Sequence, residues 1–162
     1  MPAEPVQYMT RIRDQYAKLG YKPYQWVANE EPSAWQPMRK PLSECRLTLI
    51  ASGGIYVTGQ VAFHFKDDAS FRAIPTDTKT EDLRFAHFAY DTTDAKIDPN
   101  VVFPIDTLRG LVKEGVIGEL SEHAFTFMGG IYSSRRVRDE LAPQLSERVI
   151  AEKADVALLV PV

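Results

Sequence analysis

The sequence has few of the features that define several functional classes. Cys45 is its single cysteine, which excludes an internal disulfide framework. No apolar run approaches the ~20 residues that a membrane span needs, and the N-terminus lacks the apolar core of a signal peptide. A net charge of -3 gives no general attraction to nucleic acid or anionic lipid. We therefore expect a cytoplasmic protein with no nucleic-acid or membrane partner.

Motifs that would identify a catalytic centre are also missing. The sequence contains no G-x-G-x-x-G, phosphate loop, G-x-S-x-G elbow, zinc motif or C-x-x-C. Cys45 would suit a nucleophile, but a small residue entering a buried strand is the more usual case. These motif tests thus identify neither a catalytic group nor a metal site.

Proline and tryptophan mark the organisation of the N-terminal quarter. Helical spacing followed by Gly20 predicts a helix within residues 1–20. Residues 21–41 carry four prolines together with Trp26 and Trp35, which predicts an extended arm held by its indoles. The surface that holds them is either this domain or a neighbouring subunit. Residues 42–162 are expected to form the globular domain.

Strand and helix patterns alternate through that domain. Apolar runs predict strands at 46–52, in "SFRAIP", in "LRFAHFAY", in "HAFTF" and in the buried-looking "ADVALLVPV". "IYVTGQVAFHF" fits a strand or a loop followed by a helix. Amphipathic spacing predicts helices in "FPIDTLRGLVKEGVIG" and in 133–153, where Pro143 should bend or delay the helix. We predict a three-layer α/β fold, Rossmann-like or flavodoxin-like, with a mostly parallel sheet and helices on both faces.

The expected carboxyl ends of the strands carry the candidate cleft residues. Ligands gather at such ends in open parallel sheets. Two glycine pairs follow predicted strands, Gly53-Gly54 and Gly129-Gly130 after Met128, and each would admit a ligand against bare backbone or form a plain tight turn. The most polar cluster would suit a metal or a general acid–base pair, or it forms ordinary turns. Its members are His87, Tyr90, Asp91, Asp94, Asp98 and Asn100.

One segment resembles a known family. "HFAYDTTDAKIDPNVVFPIDTLRGLVKEGVIG", from His87 to Gly118, is similar to a stretch of the selenoprotein B family of glycine, sarcosine, betaine and D-proline reductases. The D-proline reductase branch looks nearest. "SFRAIP", "FMGG" and the terminal "ADVALLVPV" resemble family segments in the same order, so the resemblance covers roughly residues 41–162.

The resemblance implies a function and a missing residue. Family members cleave a C–N bond of an amino-acid-like substrate reductively, and a pyruvoyl group on a partner subunit captures the amino group. A strand similar to "VALLVPV" is followed directly by the redox selenocysteine or cysteine, so we expect that residue immediately after Val162. The chain would then be an oxidoreductase subunit of a homo- or hetero-oligomer, truncated, with an incomplete sheet and no activity by itself.

Two interpretations from other classes stay open. The chain would alternatively be a non-catalytic α/β module that binds a small molecule, or a subunit whose arm serves assembly. If the resemblance holds, the cleft residues are expected to be Gly53, Gly54, His87, Tyr90, Asp91, Asp98, Asn100, Met128, Gly129 and Gly130. Within that set, His87, Tyr90 and Asp91 would orient or protonate the substrate.

Overall fold

A computed structural model of the chain describes residues 5–23, 28 and 30–162. The chain divides into two compact units, Met1–Trp35 and Gln36–Val162. The first unit contains helix α1, Tyr8–Lys18, with Gly20 beyond its end at a φ of 83°. Trp26 lies outside the described residues and Trp35 is exposed, so the surface that holds the predicted arm stays a prediction, as does the three-part division of the chain.

The second unit contains seven strands and four short helices among the described residues. The strands are β1 Arg46–Ala51, β2 Ile55–Val57, β3 Phe71–Pro75, β4 Leu83–Phe85, β5 Glu119–Leu120, β6 His123–Phe127 and β7 Val156–Val160. The helices are α2 Thr93–Ile97, α3 Ile105–Lys113, α4 Ser134–Arg136 and α5 Ala142–Ala151, the last two joined by a π-helical turn, Val137–Leu141. That turn ends two residues before Pro143, where the sequence predicts a disturbance, since proline cannot donate the usual helical hydrogen bond.

β1 lies at the centre of the sheet. β7 pairs with it in parallel along one edge, and β5 and β6 pair in parallel with the beginning and end of its other edge. β3 adds to β6 in the antiparallel direction. The sheet is therefore mixed and mostly parallel, which confirms the predicted α/β class. β2 and β4 form a separate antiparallel pair.

The central strand is buried on both faces, because alternate side chains of a strand point in opposite directions. Leu47 and Leu49 belong to a core cluster that includes Ile105 and Leu108 of α3. Ile50 points the other way and packs with Phe125 and with Leu145 of α5. Helices thus cover both faces of β1, as predicted.

The expectation that β7 is a buried strand is wrong. Leu158 and Leu159 are 37% and 68% exposed, and only the ends of the strand reach the core cluster. The cause is its place in the sheet, since β1 is the one strand of the described residues that pairs with β7. β7 is thus a half-exposed edge strand with apolar side chains.

The beginning of β7 is fixed to β1 by Asp155. Its carboxylate accepts a hydrogen bond from the Arg46 backbone N–H at 2.8 Å and forms an ion pair with Lys40 at 2.7 Å. These contacts, led by the backbone hydrogen bond, hold the pKa of Asp155 below its usual value. Because the folded pKa is lowered, the stabilisation is present above the unfolded value of about 3.9 and is lost as the pH falls.

We expect Asp155→Asn to lower stability at about pH 7 and to have a smaller effect at about pH 3, because the stabilisation declines below the unfolded value of about 3.9. Urea unfolding of both chains at the two pH values measures this. Glu147→Gln, on the exposed face of α5, controls for the change in net charge. An Asp155→Asn effect of equal size at both pH values would show that the charge of Asp155 contributes nothing.

Candidate functional site

Three parallel strands present their carboxyl ends at the same edge of the sheet. Ser52 follows β1, Met128 follows β6 and Val162 lies just beyond β7. The backbone N–H of Gly129 donates to the Ser52 carbonyl at 2.8 Å, and that of Val162 donates to Ser52 Oγ at 2.9 Å. Ser52 therefore joins the ends of all three strands.

The glycine pair after β1 brings a fourth segment to this edge. Gly54 has a φ of 67°, a conformation that L side chains rarely adopt. Its carbonyl accepts a hydrogen bond from the Ala86 N–H at 2.9 Å, and a Cβ on Gly54 would overlap the Ala86 carbonyl oxygen. The close approach of these two backbones places His87 beside the turn, with its Cβ 3.4 Å from that Cβ position.

His87 and Tyr90 stand over the turn as uncharged hydrogen-bonding groups. The Tyr90 hydroxyl donates to the Gly53 carbonyl at 3.0 Å, and its ring centroid lies 4.7 Å from that of His87. Burial lowers the pKa of His87 and raises that of Tyr90, because desolvation disfavours the charged form of each. Both groups are therefore uncharged at neutral pH, and the one hydroxyl hydrogen of Tyr90 is already donated to Gly53.

The second glycine pair makes room for an aromatic side chain. A Cβ on Gly130 would overlap the ring of Phe88, so this ring packs directly against the glycine backbone. Phe88 stacks on His87 with centroids 6.0 Å apart and planes at 14°. Met128 is buried, and its sulfur accepts a hydrogen bond from the Gly130 N–H at 3.3 Å. Tyr132, 70% exposed, lies 6.2 Å from Phe88 at the outer border.

We call this arrangement the strand-end cleft. It comprises Ser52, Gly53, Gly54, His87, Phe88, Tyr90, Met128, Gly129, Gly130 and Val162. Seven of these residues were predicted from the sequence to line the cleft, and the roles expected for them stay predictions. Ser52, Phe88 and Val162 were not named as cleft residues. Ser52 and Val162 could have been found, because both lie at predicted carboxyl ends of strands. Phe88 could not, because nothing in the sequence linked it to Gly130.

The three other predicted cleft residues are engaged in local turns. Asp91 accepts hydrogen bonds from the backbone N–H and the hydroxyl of Thr93, which lower its pKa. Asp98 accepts from the N–H of Asn100, and Asn100 in turn accepts from the N–H of Asp106 at the start of α3. These contacts agree with the turn interpretation of the polar cluster.

Other chemically active groups lie outside the cleft. Cys45 is 2% exposed, with its sulfur 3.3 Å from the Pro41 carbonyl. Among the described residues, Glu122, His123 and Glu152 place three possible metal ligands within 4.8 Å. They meet at the opposite end of β6, where the Glu152 carboxylate already accepts hydrogen bonds from the Glu122 N–H and the His123 ring.

A separate groove lies along β2, β4 and α2. Its volume is about 510 Å³, and none of the cleft residues lines it. The lining residues are Tyr56, Thr80, Glu81, Leu83, Arg84, Phe85, Lys96, Ile97 and Pro99. This groove therefore lies apart from the place where the predicted residues converge. None of the helices in the described ranges has the length and apolarity that a bilayer crossing requires.

Comparison with known proteins agrees with the resemblance. The chain is 34% identical over 134 residues to the D-proline reductase subunit gamma of Acetoanaerobium sticklandii, which covers 83% of the chain and 55% of that protein. It is 31% identical over 119 residues to a glycine reductase complex component B subunit gamma of Symbiobacterium thermophilum, covering 68% and 28%. It is 31% identical over 98 residues to a sarcosine reductase complex component B subunit beta of Peptoclostridium acidaminophilum, covering 57% and 22%.

The chain spans about half the length of the first of these relatives and under a third of the others. No solved structure gives a significant match. The family model for glycine/sarcosine/betaine reductase selenoprotein B matches residues 24–161, which is most of the chain. The chain belongs to the glycine/sarcosine/betaine reductase selenoprotein B family.

Proposed function

We propose that this chain is a substrate-handling subunit of a reductase complex that cleaves a C–N bond in an amino-acid-like substrate, and that the strand-end cleft receives the substrate. The relatives are named as subunits of reductase complexes, which supports partner subunits. The observation that carries the proposal is the meeting of β1, β6 and β7 at Ser52, beside His87 and Tyr90. Strand ends of this kind are where parallel sheets bind ligands.

The redox residue belongs directly after Val162 in this proposal. The Val162 N–H is held by Ser52 Oγ, and a Val162 methyl lies 3.4 Å from the position of a Cβ on Gly53. The next Cα lies about 3.8 Å beyond that of Val162. A selenocysteine or cysteine there would be at the mouth of the cleft. Without this residue the chain would bind substrate but not reduce it.

The cleft residues would orient the substrate and leave bond activation to a partner. The Tyr90 hydroxyl is committed to the Gly53 carbonyl, so it fixes the glycine turn against the polar segment. Phe88 and Tyr132 are exposed at the outer border, which fits the approach of a partner chain. A pyruvoyl group on that partner, implied by the family, would supply a reactive carbonyl for the substrate nitrogen.

The proposal is tested by extending the chain with Cys-Gly-Gly after Val162. We expect the new thiol to have a pKa at least about one unit below the ordinary 8.5, as an activated chalcogen nucleophile requires. The pH dependence of iodoacetamide alkylation measures this pKa. The unextended chain reports the background from buried Cys45.

Ser146→Cys, on the exposed face of α5, provides the matched surface thiol. The two glycines of the extension keep the terminal carboxylate away from the new thiol, since a neighbouring negative charge would raise its pKa. If the thiol after Val162 titrates like that of the Ser146→Cys chain, the strand-end cleft does not activate a chalcogen and the proposal fails.

A further inference from the structure

His87 is held by contacts on several sides of its imidazole. The ring stacks on Phe88 and tilts against Tyr90, the titratable group that touches it. Its Nδ1 atom lies 3.0 Å from the backbone nitrogen of Ala89. The orientation of the ring is therefore set by its own loop and by its two aromatic neighbours.

The contact with Ala89 decides where the ring proton lies. A backbone N–H can only donate, so Nδ1 must accept and cannot carry a hydrogen. A neutral imidazole keeps one N–H, so the hydrogen must be on Nε2. Burial, which lowers the pKa of His87, agrees with a neutral ring at physiological pH.

The Nε2 atom of His87 is buried and has no hydrogen-bond partner among the described residues, so a substrate reaches it only when a neighbouring group moves aside. A buried donor without an acceptor costs about 1–3 kcal/mol, and such groups are rare in folded proteins. An N–H donor cannot bind an ammonium group, and the lone pair on Nδ1 is already used by Ala89. The ring therefore selects an acceptor from the substrate, and not its nitrogen.

Resting on the proposed function, we propose that the Nε2–H of His87 donates a hydrogen bond to the carboxylate of the amino-acid substrate. Glycine, sarcosine, betaine and D-proline share this carboxylate and differ at the nitrogen. His87 thus anchors the part of the substrate that does not react. It is a binding residue of neutral charge, and it does not deliver a proton to the bond that breaks.

Nitrogen-15 NMR of the full chain tests the tautomer directly. The chain has three histidines, so the His87 signals are assigned by their loss in a His87→Gln variant. We expect an Nε2–H tautomer at about pH 7 and a change in the Nε2–H signal on adding at least one of glycine, sarcosine, betaine or D-proline. Pyrrolidine, which is D-proline without its carboxylate, should leave the signal unchanged.

Two variants distinguish hydrogen-bond donation from the Nε2 position from packing of the imidazole ring. A glutamine amide reaches the position of Nε2, whereas an asparagine amide reaches only that of Nδ1. We expect His87→Gln to keep the affinity for the responding amino acid within about three-fold and His87→Asn to lose at least about ten-fold, as for a hydrogen bond to a charged group. Circular dichroism and urea unfolding identify any variant that does not fold.

Several outcomes would overturn the assignment. These are an Nδ1–H tautomer or an imidazolium at neutral pH, no response to any of the four amino acids, an equal response to pyrrolidine, or equal affinities of the two variants. The thiol experiment after Val162 is independent of all of them. If the thiol after Val162 has a lowered pKa but the His87 signal does not respond to the amino acids, the proposed function is kept and the role of His87 is rejected. If the His87 signal responds but the thiol has an ordinary pKa, a carboxylate-binding site is kept and the redox chemistry is rejected.

Discussion

A Gly54→Ala chain is expected to lose at least about 3 kcal/mol of stability, enough to unfold a large fraction of a marginally stable domain. The alanine would have to keep a φ near 67°, which costs about 1–2 kcal/mol for an L residue. Its Cβ would also overlap the Ala86 carbonyl, a backbone atom that cannot rotate away. Relief of the overlap would break the hydrogen bond between Gly54 and Ala86.

Variants at two other glycines separate the cost of the positive φ from the cost of the steric overlap. Gly59 also has a positive φ, 97°, but a Cβ there would meet nothing within 4 Å, so Gly59→Ala should cost only about 1–2 kcal/mol. Gly110 lies inside α3 in open space, and Gly110→Ala should stabilise the chain by up to about 1 kcal/mol. Urea unfolding of the three variants gives the order. A Gly54→Ala cost no larger than that of Gly59→Ala would contradict the close approach of residues 54 and 86.

The elements with strong local signals were predictable from the sequence. Apolar runs located β1 and β6, and Pro75 marked the end of β3. Apolar spacing, Asp106 and Gly115 bounded α3 closely, since the helix ends at Lys113 and Gly115 has a φ of 72°. In each case the deciding interaction lies within a few residues of the chain.

The missed features depend on distant partners. The two-residue strand β5 has no pattern of its own and is defined by pairing with the start of β1. β7 has the composition of a strand buried on both faces, but burial depends on neighbours that composition does not specify. The separate pairing of β2 with β4 likewise joins segments distant in the chain, next to the contact between Gly54 and Ala86.

The candidate site also combines features that the sequence predicts locally with features that depend on distant partners. The two glycine pairs were predicted from the rule on strand ends, and the structure brings them together through Ser52. The polar cluster was chosen by residue type, which cannot distinguish a ligand from a residue that caps its own turn. His87 and Tyr90 face the glycine turn, whereas Asp98 and Asn100 hydrogen-bond at the start of α3.

Phe103 lies in the segment that carries the family resemblance, and we expect its truncation to lower the stability of the domain strongly. Its ring is 1% exposed and lies in the core cluster with Leu49 and Ile55. Phe103→Ala would leave a cavity beneath the end of β1, so we expect a loss of about 3–5 kcal/mol. Phe103→Leu keeps much of the volume and should cost about 1–2 kcal/mol.

Phe65→Ala is the matched control, because Phe65 is 70% exposed and its truncation should change stability by less than about 0.5 kcal/mol. Urea unfolding of the three variants compares them, and equal effects of Phe103→Ala and Phe65→Ala would exclude Phe103 from the core. The expected result would explain the segment 102–106 by packing and capping: Val102 lies against Gly53, Phe103 fills the core, and Asp106 pairs with Arg109. That result would leave the strand ends, which this segment supports, as the site of the proposed chemistry.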